Sequence, residues 1–256
     1  GRYVELESLA RLLVERYPDS GFAWNILGAS LRMQGKDALI ALKKATELLP
    51  DEAELHYNLG NTLRDLGQQN EAVASYRRAL KISPNFAEGH INLGNALKDL
   101  GQLDAAVASY RLALEMKPDF ALAHFNLGVA LHAIGQLDGA VVSYRRALKI
   151  EPDYATANYN LGIALQSLGQ LDGAVASYRR ALEIKPEFTE VHINLGNALR
   201  DLEQLDDAVA SYRRALEIDP DYAEAHSNLG VALKDLGQID DAVASYRRAL
   251  EIKPGY

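Results

Sequence analysis

The sequence predicts an all-α fold, a solenoid of helix-turn-helix repeats, and three observations predict it. The eight prolines fall at 18, 50, 84, 118, 152, 186, 220 and 254, and from Pro50 onward every interval is 34 residues, the regularity of a repeat architecture. In the second copy His56, Leu59, Leu63 and Leu66 recur at intervals of three and four, and Val73, Tyr76 and Leu80 do so after a break; this is the pattern of two amphipathic helices. The break is Gly67, which returns as Gly35, Gly101, Gly135, Gly169 and Gly237 and suits the left-handed residue that ends a helix.

A partial unit at 1–20 precedes seven copies, 21–52, 53–86, 87–120, 121–154, 155–188, 189–222 and 223–256, which the spacing predicts to form a single array over 1–256. The first copy is two residues short, with "GKDA" at 35–38 where the third has "GQLDAA" at 101–106. Each first helix runs to the turn glycine. Glu203 replaces that glycine in the sixth copy, which predicts strain of about 1 kcal/mol if the turn is kept. Each second helix begins near Asp104, Asp138, Asp172, Asp206 or Asp240, whose charge complements a helix N-terminus, and stops before the next proline. The residues after the prolines, Asp51, Asn85, Asp119, Asp153, Glu187 and Asp221, with Glu54, Glu88 and Glu224 three residues after Asp51, Asn85 and Asp221, read as capping boxes. Leu122 and Thr156 break that pattern in the fourth and fifth copies.

Stacked helix pairs need small side chains where backbones come closest. Gly28, Gly60, Gly94, Gly128, Gly162, Gly196 and Gly230 supply one such point in every copy, and Tyr76, Tyr110, Tyr144, Tyr178, Tyr212 and Tyr246 fill the space beside it. One copy alone cannot bury these residues, so stability comes from neighbour on neighbour.

The composition narrows the function. A chain of 256 residues with 48% hydrophobic and 24% charged residues can bury a core. It has no cysteine, which excludes disulfides and thiolate metal sites and fits a reducing compartment such as the cytoplasm. The net charge of −8 argues against nucleic acid or an anionic membrane as partner. No apolar run is long enough to span a bilayer and no signal peptide is evident. Opening on Gly1, the chain is expected to be a piece of a longer protein. It holds no phosphate loop, nucleotide fingerprint, HExxH or nucleophile elbow, so neither catalysis nor a cofactor is expected.

The pattern Trp24-x2-Leu27-Gly28, then Ala38, Leu42 and Pro50, followed six more times by "LG…L…A…Y…P", resembles the tetratricopeptide repeat. The resemblance covers residues 21 to 256 and implies a right-handed superhelix, with the first helices lining a concave groove and the second helices outside. The family mostly binds peptides or protein segments in that groove. A finer resemblance rests on Asn58, Asn92, Asn126, Asn160, Asn194 and Asn228, which precede the Leu-Gly pair in six copies, with Ile26 the exception. This is similar to the asparagine ladder of O-GlcNAc transferases and their bacterial SPINDLY-type relatives. That resemblance implies a ladder holding the backbone of a protein substrate, and an amide suits the role because it both donates and accepts. The carboxylate-clamp members need a lysine before the ladder residue, where this chain has Asn25, Tyr57, Ile91, Phe125, Tyr159, Ile193 and Ser227.

On the groove face the outer copies carry locally neutral charge pairs: Arg64 and Asp65, Lys98 and Asp99, Arg200 and Asp201, Lys234 and Asp235. The fourth and fifth copies instead present Phe125, Val129, His132 and Ala133, and Tyr159, Ile163, Gln166 and Ser167, an uncharged surface of the kind that meets a partner. Packing between copies is the competing reading for Phe125 and Tyr159, and drift for Val129 and Ile163. Five histidines, His56, His90, His124, His192 and His226, share the register of Trp24 and Asn158. A helix pair separates each from the next, so they read as packing residues and not as metal ligands. The paired arginines from Arg77 and Arg78 onward read as a solvated outer face.

Three functions follow. The first is a scaffold that holds an extended protein or peptide segment. The second is the substrate-recognition array of a glycosyltransferase whose catalytic domain is outside this chain. The third is head-to-tail self-association through the uncapped last copy, around Tyr246 and Leu250.

Overall fold

The computed structural model describes residues 2–255; Gly1 and Tyr256, which closes the last copy, lie outside the described residues. Among these, fifteen α-helices form and no strand. Helix α1 (Arg2–Arg16) belongs to the partial unit. The first helices of the seven copies are α2 (Gly21–Met33), α4 (Ala53–Asp65), α6 (Ala87–Asp99), α8 (Ala121–Ala133), α10 (Ala155–Ser167), α12 (Thr189–Asp201) and α14 (Ala223–Asp235). The second helices are α3 (Leu39–Leu48), α5 (Gln69–Ile82), α7 (Leu103–Met116), α9 (Leu137–Ile150), α11 (Leu171–Ile184), α13 (Leu205–Ile218) and α15 (Ile239–Ile252). No described helix is long and apolar enough to cross a membrane.

The chain divides into two compact units, Gly1–Ala130 and Leu131–Tyr256, the division falling within α8. From α1 to α7 in the first unit and from α9 to α15 in the second each helix packs on its neighbour in sequence, and first helices also touch the first helix of the next copy: α4 with α6 in the first unit, α10 with α12 and α12 with α14 in the second. First helices therefore lie side by side on one face of each unit.

The turn within a copy is a Schellman motif. After α4, Gln68 N–H donates to the Leu63 carbonyl and Gly67 N–H to that of Arg64, at 2.8 and 2.9 Å, with Gly67 at φ 75°. Glu203 keeps the same two bonds, its own N–H to Arg200 and that of Gln204 to Leu199, at φ 61°. The glutamate thus accepts the left-handed conformation because the flanking helices demand it.

The start of each first helix differs from the capping boxes expected. The helices α4, α6, α10, α12 and α14 are preceded by Glu52, Phe86, Tyr154, Phe188 and Tyr222, none of which makes a side-chain cap. The post-proline acid stands one residue too early to cap, and Glu54 falls second in its helix, where a box would need it third. Asp51, Asp153 and Asp221 instead accept from Arg78, Arg180 and Arg248 on the second helix of the following copy, at 2.7–3.0 Å. Leu112 of the third copy stands in the arginine register and Asn85, near the end of the second, in the aspartate register, so both halves of that pair have changed together. Ser20 does cap its first helix, α2, its Oγ accepting from Ala23 N–H.

The close approach within a copy is as the small residues predict. A Cβ on Gly60, Gly94, Gly162, Gly196 or Gly230 would lie 2.4–2.7 Å from the nearest ring carbon of Tyr76, Tyr110, Tyr178, Tyr212 or Tyr246. Tyr76, Tyr110, Tyr178 and Tyr212 are wholly buried. Burial pushes their hydroxyls above the usual range, that of Tyr212 to about 12.

Candidate functional site

The tyrosine hydroxyls lead from the core to the face where the first helices meet. Tyr76, Tyr110 and Tyr212 donate to the side-chain oxygens of Asn61, Asn95 and Asn197 in the same copy, at 2.7–2.8 Å. Those oxygens accept a second bond from the next copy's ladder residue: Asn92 Nδ2 to Asn61 at 2.8 Å, Asn126 to Asn95 at 3.0 Å and Asn228 to Asn197 at 3.2 Å. An amide oxygen has two lone pairs, and here one answers its own core while the other answers the neighbour. Asn92 also donates to the Tyr57 hydroxyl at 2.9 Å. Asn61, Asn95 and Asn197 carry no expected site role, and their polarity is not a matter of solvent tolerance: Asn61 is 4% exposed and bonded on both sides. The signal that marks them is a fixed spacing, 15 residues before the tyrosine and 31 before the next ladder amide.

The ladder changes where that acceptor is missing. Ile163 cannot accept, so Tyr178 donates to Gln166 Oε1 at 2.9 Å and Asn194 turns to the Tyr159 hydroxyl at 3.0 Å. Asn160 bonds within its own helix, to the Thr156 carbonyl at 2.8 Å. Asn58 follows a copy with Ala29 in the acceptor register and Asn25 in the register of Tyr57. Among the described residues its side-chain amide has no partner.

The remaining expected site residues are placed as follows. In the first unit Phe125 and Val129 are half-buried on α8. In the second, His132 and Ile163 are half-buried, and the Tyr159 ring packs against Tyr178 and Phe188 with centroids 6.2 and 5.2 Å away. Tyr57 packs likewise against Tyr76 and Phe86 in the first unit, so in both copies this ring packs within its own copy, between the core tyrosine and the aromatic residue that precedes the next first helix. The charge pairs close on themselves, Arg64 with Asp65 at 3.0 Å and Lys98 with Asp99, Arg200 with Asp201 and Lys234 with Asp235 at 3.6–3.7 Å.

The histidine register has one task. His56, His90, His124, His192 and His226 hold Nε2 2.8–3.1 Å from the carbonyls of Pro50, Pro84, Pro118, Pro186 and Pro220, and Trp24 Nε1 donates to that of Pro18 at 2.7 Å. A carbonyl only accepts, so Nε2 carries the proton. No group of three or more His, Asp or Glu side chains that could hold a metal ion occurs among the described residues.

At α15 the surface that internal copies bury is open. Ile239, Val243 and Leu250 are 55%, 41% and 48% exposed, whereas Val209 and Tyr212, in the registers of Val243 and Tyr246, are 5% and 0% exposed beneath α14.

A family model described as "TPR repeat" matches residues 60–101, 94–135, 130–169, 164–199 and 196–237, and two described as "Tetratricopeptide repeat" match 41–74 and 223–256. No curated protein matches the sequence. Among solved structures the chain is similar to MamA, with 30% identity over 65% of this chain and 97% of that one and a TM-score of 0.62. It is also similar to YrrB, described as a TPR protein with an unusual peptide-binding site, with 27% identity, 70% and 92% coverage and a TM-score of 0.63. Pseudomonas aeruginosa pilF shares the fold at 19% identity, covering 80% of this chain and 93% of that one, with a TM-score of 0.67.

Proposed function

Because the chain belongs to the tetratricopeptide repeat family, we propose that it is a non-catalytic scaffold that holds an extended protein or peptide segment along its first helices. The observation that carries this reading is the amide that six of the seven copies carry on that face. Asn126, Asn194 and Asn228 each bond through Nδ2, and their side-chain oxygens take no part in those bonds. An acceptor for a backbone N–H, and a second amide hydrogen for a carbonyl, therefore recur at the pitch of the repeat. The peptide-binding site of YrrB, at 27% identity, supports the same use of the fold. In the first unit Phe125 and Val129, with Asn58, Asn92 and Asn126, contact the segment; in the second, His132, Tyr159 and Ile163, with Asn160, Asn194 and Asn228, do so.

The test is an array of overlapping dodecapeptides probed with the intact chain and with Asn160→Ala. Asn160 bonds only within its own helix, so its loss leaves the bonds between copies in place. Binding peptides should lose about twofold to tenfold in affinity, since one net hydrogen bond contributes about 0.5–1.5 kcal/mol. Identical affinities for every peptide would remove the ladder from the reading. Unchanged affinities in Val129→Asn and Ile163→Asn would return those two residues to packing.

A second reading, association of copies of this chain through α15, is favoured by the exposure of Val243 and Leu250. Sedimentation across a hundredfold concentration range tests it, and a constant monomer mass dismisses it.

A further inference from the structure

Asn58 is the ladder residue whose surroundings differ most from the rest. In the second, third and sixth copies an asparagine stands between the core tyrosine and the next ladder amide. Before Asn58 that register holds Ala29, which can neither accept the amide nor fill the space. A cavity of about 190 Å³ opens there, lined by Ala29, Arg32, Met33, Leu42 and Asn58. Small-molecule sites take roughly 300–1,000 Å³, so this volume suits one amino-acid side chain and not a cofactor. Its walls are apolar apart from two groups. The Arg32 guanidinium lies 4.0 Å from Asp65, and the Asn58 amide is without a partner. A second hollow, holding Tyr57 and Phe86, shares Asn58 and continues along α4. Met33, on its wall, is 60% exposed.

We propose that the notch between α2 and α4 is a subsite that takes one large apolar side chain of an extended polypeptide, whose backbone carbonyl accepts from Asn58 Nδ2. The proposal rests on the scaffold reading above and deepens it. The occupant follows from the chemistry: a volume for a single side chain, a lining that is apolar beside Arg32 and Asn58, an amide donor at its edge, and a trough that continues past Asn58 in the direction of α4. A bound segment would replace, for this one copy, the acceptor that Asn61, Asn95 and Asn197 supply elsewhere.

The chain contains two methionines, Met33 in the notch and Met116 at the end of α7, so ¹³C-methyl-methionine labelling gives two resolved reporters. The probes are two pools of capped nonapeptides with randomised flanks, one with leucine at the centre and one with aspartate. Binding anywhere on the chain is read by fluorescence anisotropy, and binding in the notch by the Met33 signal. The leucine pool should move Met33 and leave Met116 in place, and the aspartate pool should move neither. Ala29→Asn places in the first copy the residue that three other copies already carry, so it retains the fold, which a melting curve at or above that of the parent verifies. It should fill the notch, engage Asn58 and weaken the Met33 response at least tenfold. If anisotropy reports binding while Met33 stays still, or if Ala29→Asn leaves the response unchanged, the subsite is overturned and the scaffold reading stands. If neither pool nor the dodecapeptide array binds at all, both fall.

Discussion

Gly162→Ala adds one methyl group, and the structure gives its consequence a sign. The new Cβ would lie 2.4 Å from Cε1, 2.6 Å from Cδ1 and 2.9 Å from Cζ of Tyr178. Carbon atoms rest about 3.5–4.0 Å apart, so the ring must retreat by about 1 Å. It has nowhere to go: Tyr178 is wholly buried and tied to Gln166 by its hydroxyl. Overpacking of this kind costs about 2–3 kcal/mol, the upper part of the usual range, while alanine in place of glycine returns about 1 kcal/mol of helix propensity. The net expectation is destabilisation by about 1–2 kcal/mol. In a Tyr178→Ala background the obstacle is gone, and the same substitution should stabilise by about 1 kcal/mol. Urea unfolding followed by circular dichroism, on the two single variants, the double variant and the parent, measures the coupling between the sites, expected at about 2–3 kcal/mol. A Gly162→Ala variant as stable as the parent, or destabilisation of equal size in both backgrounds, would refute the ring-on-backbone account.

Three further outcomes are expected. Glu203→Gly should stabilise by about 0.5–1 kcal/mol, because relief of a left-handed glutamate outweighs the greater freedom of glycine in the unfolded chain; a lowered melting temperature would show that Glu203 makes compensating contacts. Hydrogen bonds from Lys36 and Arg11 hold the Glu7 carboxyl down at about 2, so its hold on α1 should be complete above about pH 4.5 and fade as the pH falls towards 2; Glu7→Gln should then be less stable than the parent at pH 7 and equal to it at pH 2, as thermal melts would show. Asn85→Asp with Leu112→Arg should restore the ion pair lacking in the third copy, with a favourable coupling of about 0.2–1 kcal/mol that shrinks in high salt; a double-mutant cycle without coupling would disconnect those two positions.

The legibility of the fold and of the face follows from how local each feature is. Helix spacing, the turn at Gly67 and the tyrosine against Gly60 are relations within one copy, and they can be read from a 34-residue window. Glu203 is legible for the same reason: the turn around it has one possible geometry, and the left-handed backbone follows. The cap was misread because Asp51 and Glu54 satisfy the spacing of a box while the helix begins at Ala53, an offset of one residue that composition does not reveal. The role of Asn61 is harder still to read, since its second partner, Asn92, lies in another copy. Tyr159 illustrates the same limit, its hydroxyl being engaged by Asn194 of the copy that follows.

The two-sided oxygen of Asn61 implies that a rung of the ladder is not the property of the unit that carries it. Its state is set one unit upstream: Asn92 is held because Asn61 precedes it, and Asn58 is released because Ala29 does. Duplicating a 34-residue unit therefore transmits the fold faithfully and the surface unfaithfully, because the copied rung inherits a new predecessor. Chemistry on this face is encoded at junctions between units, so reordering the same seven units would yield a protein with the same helices and a different set of available amides.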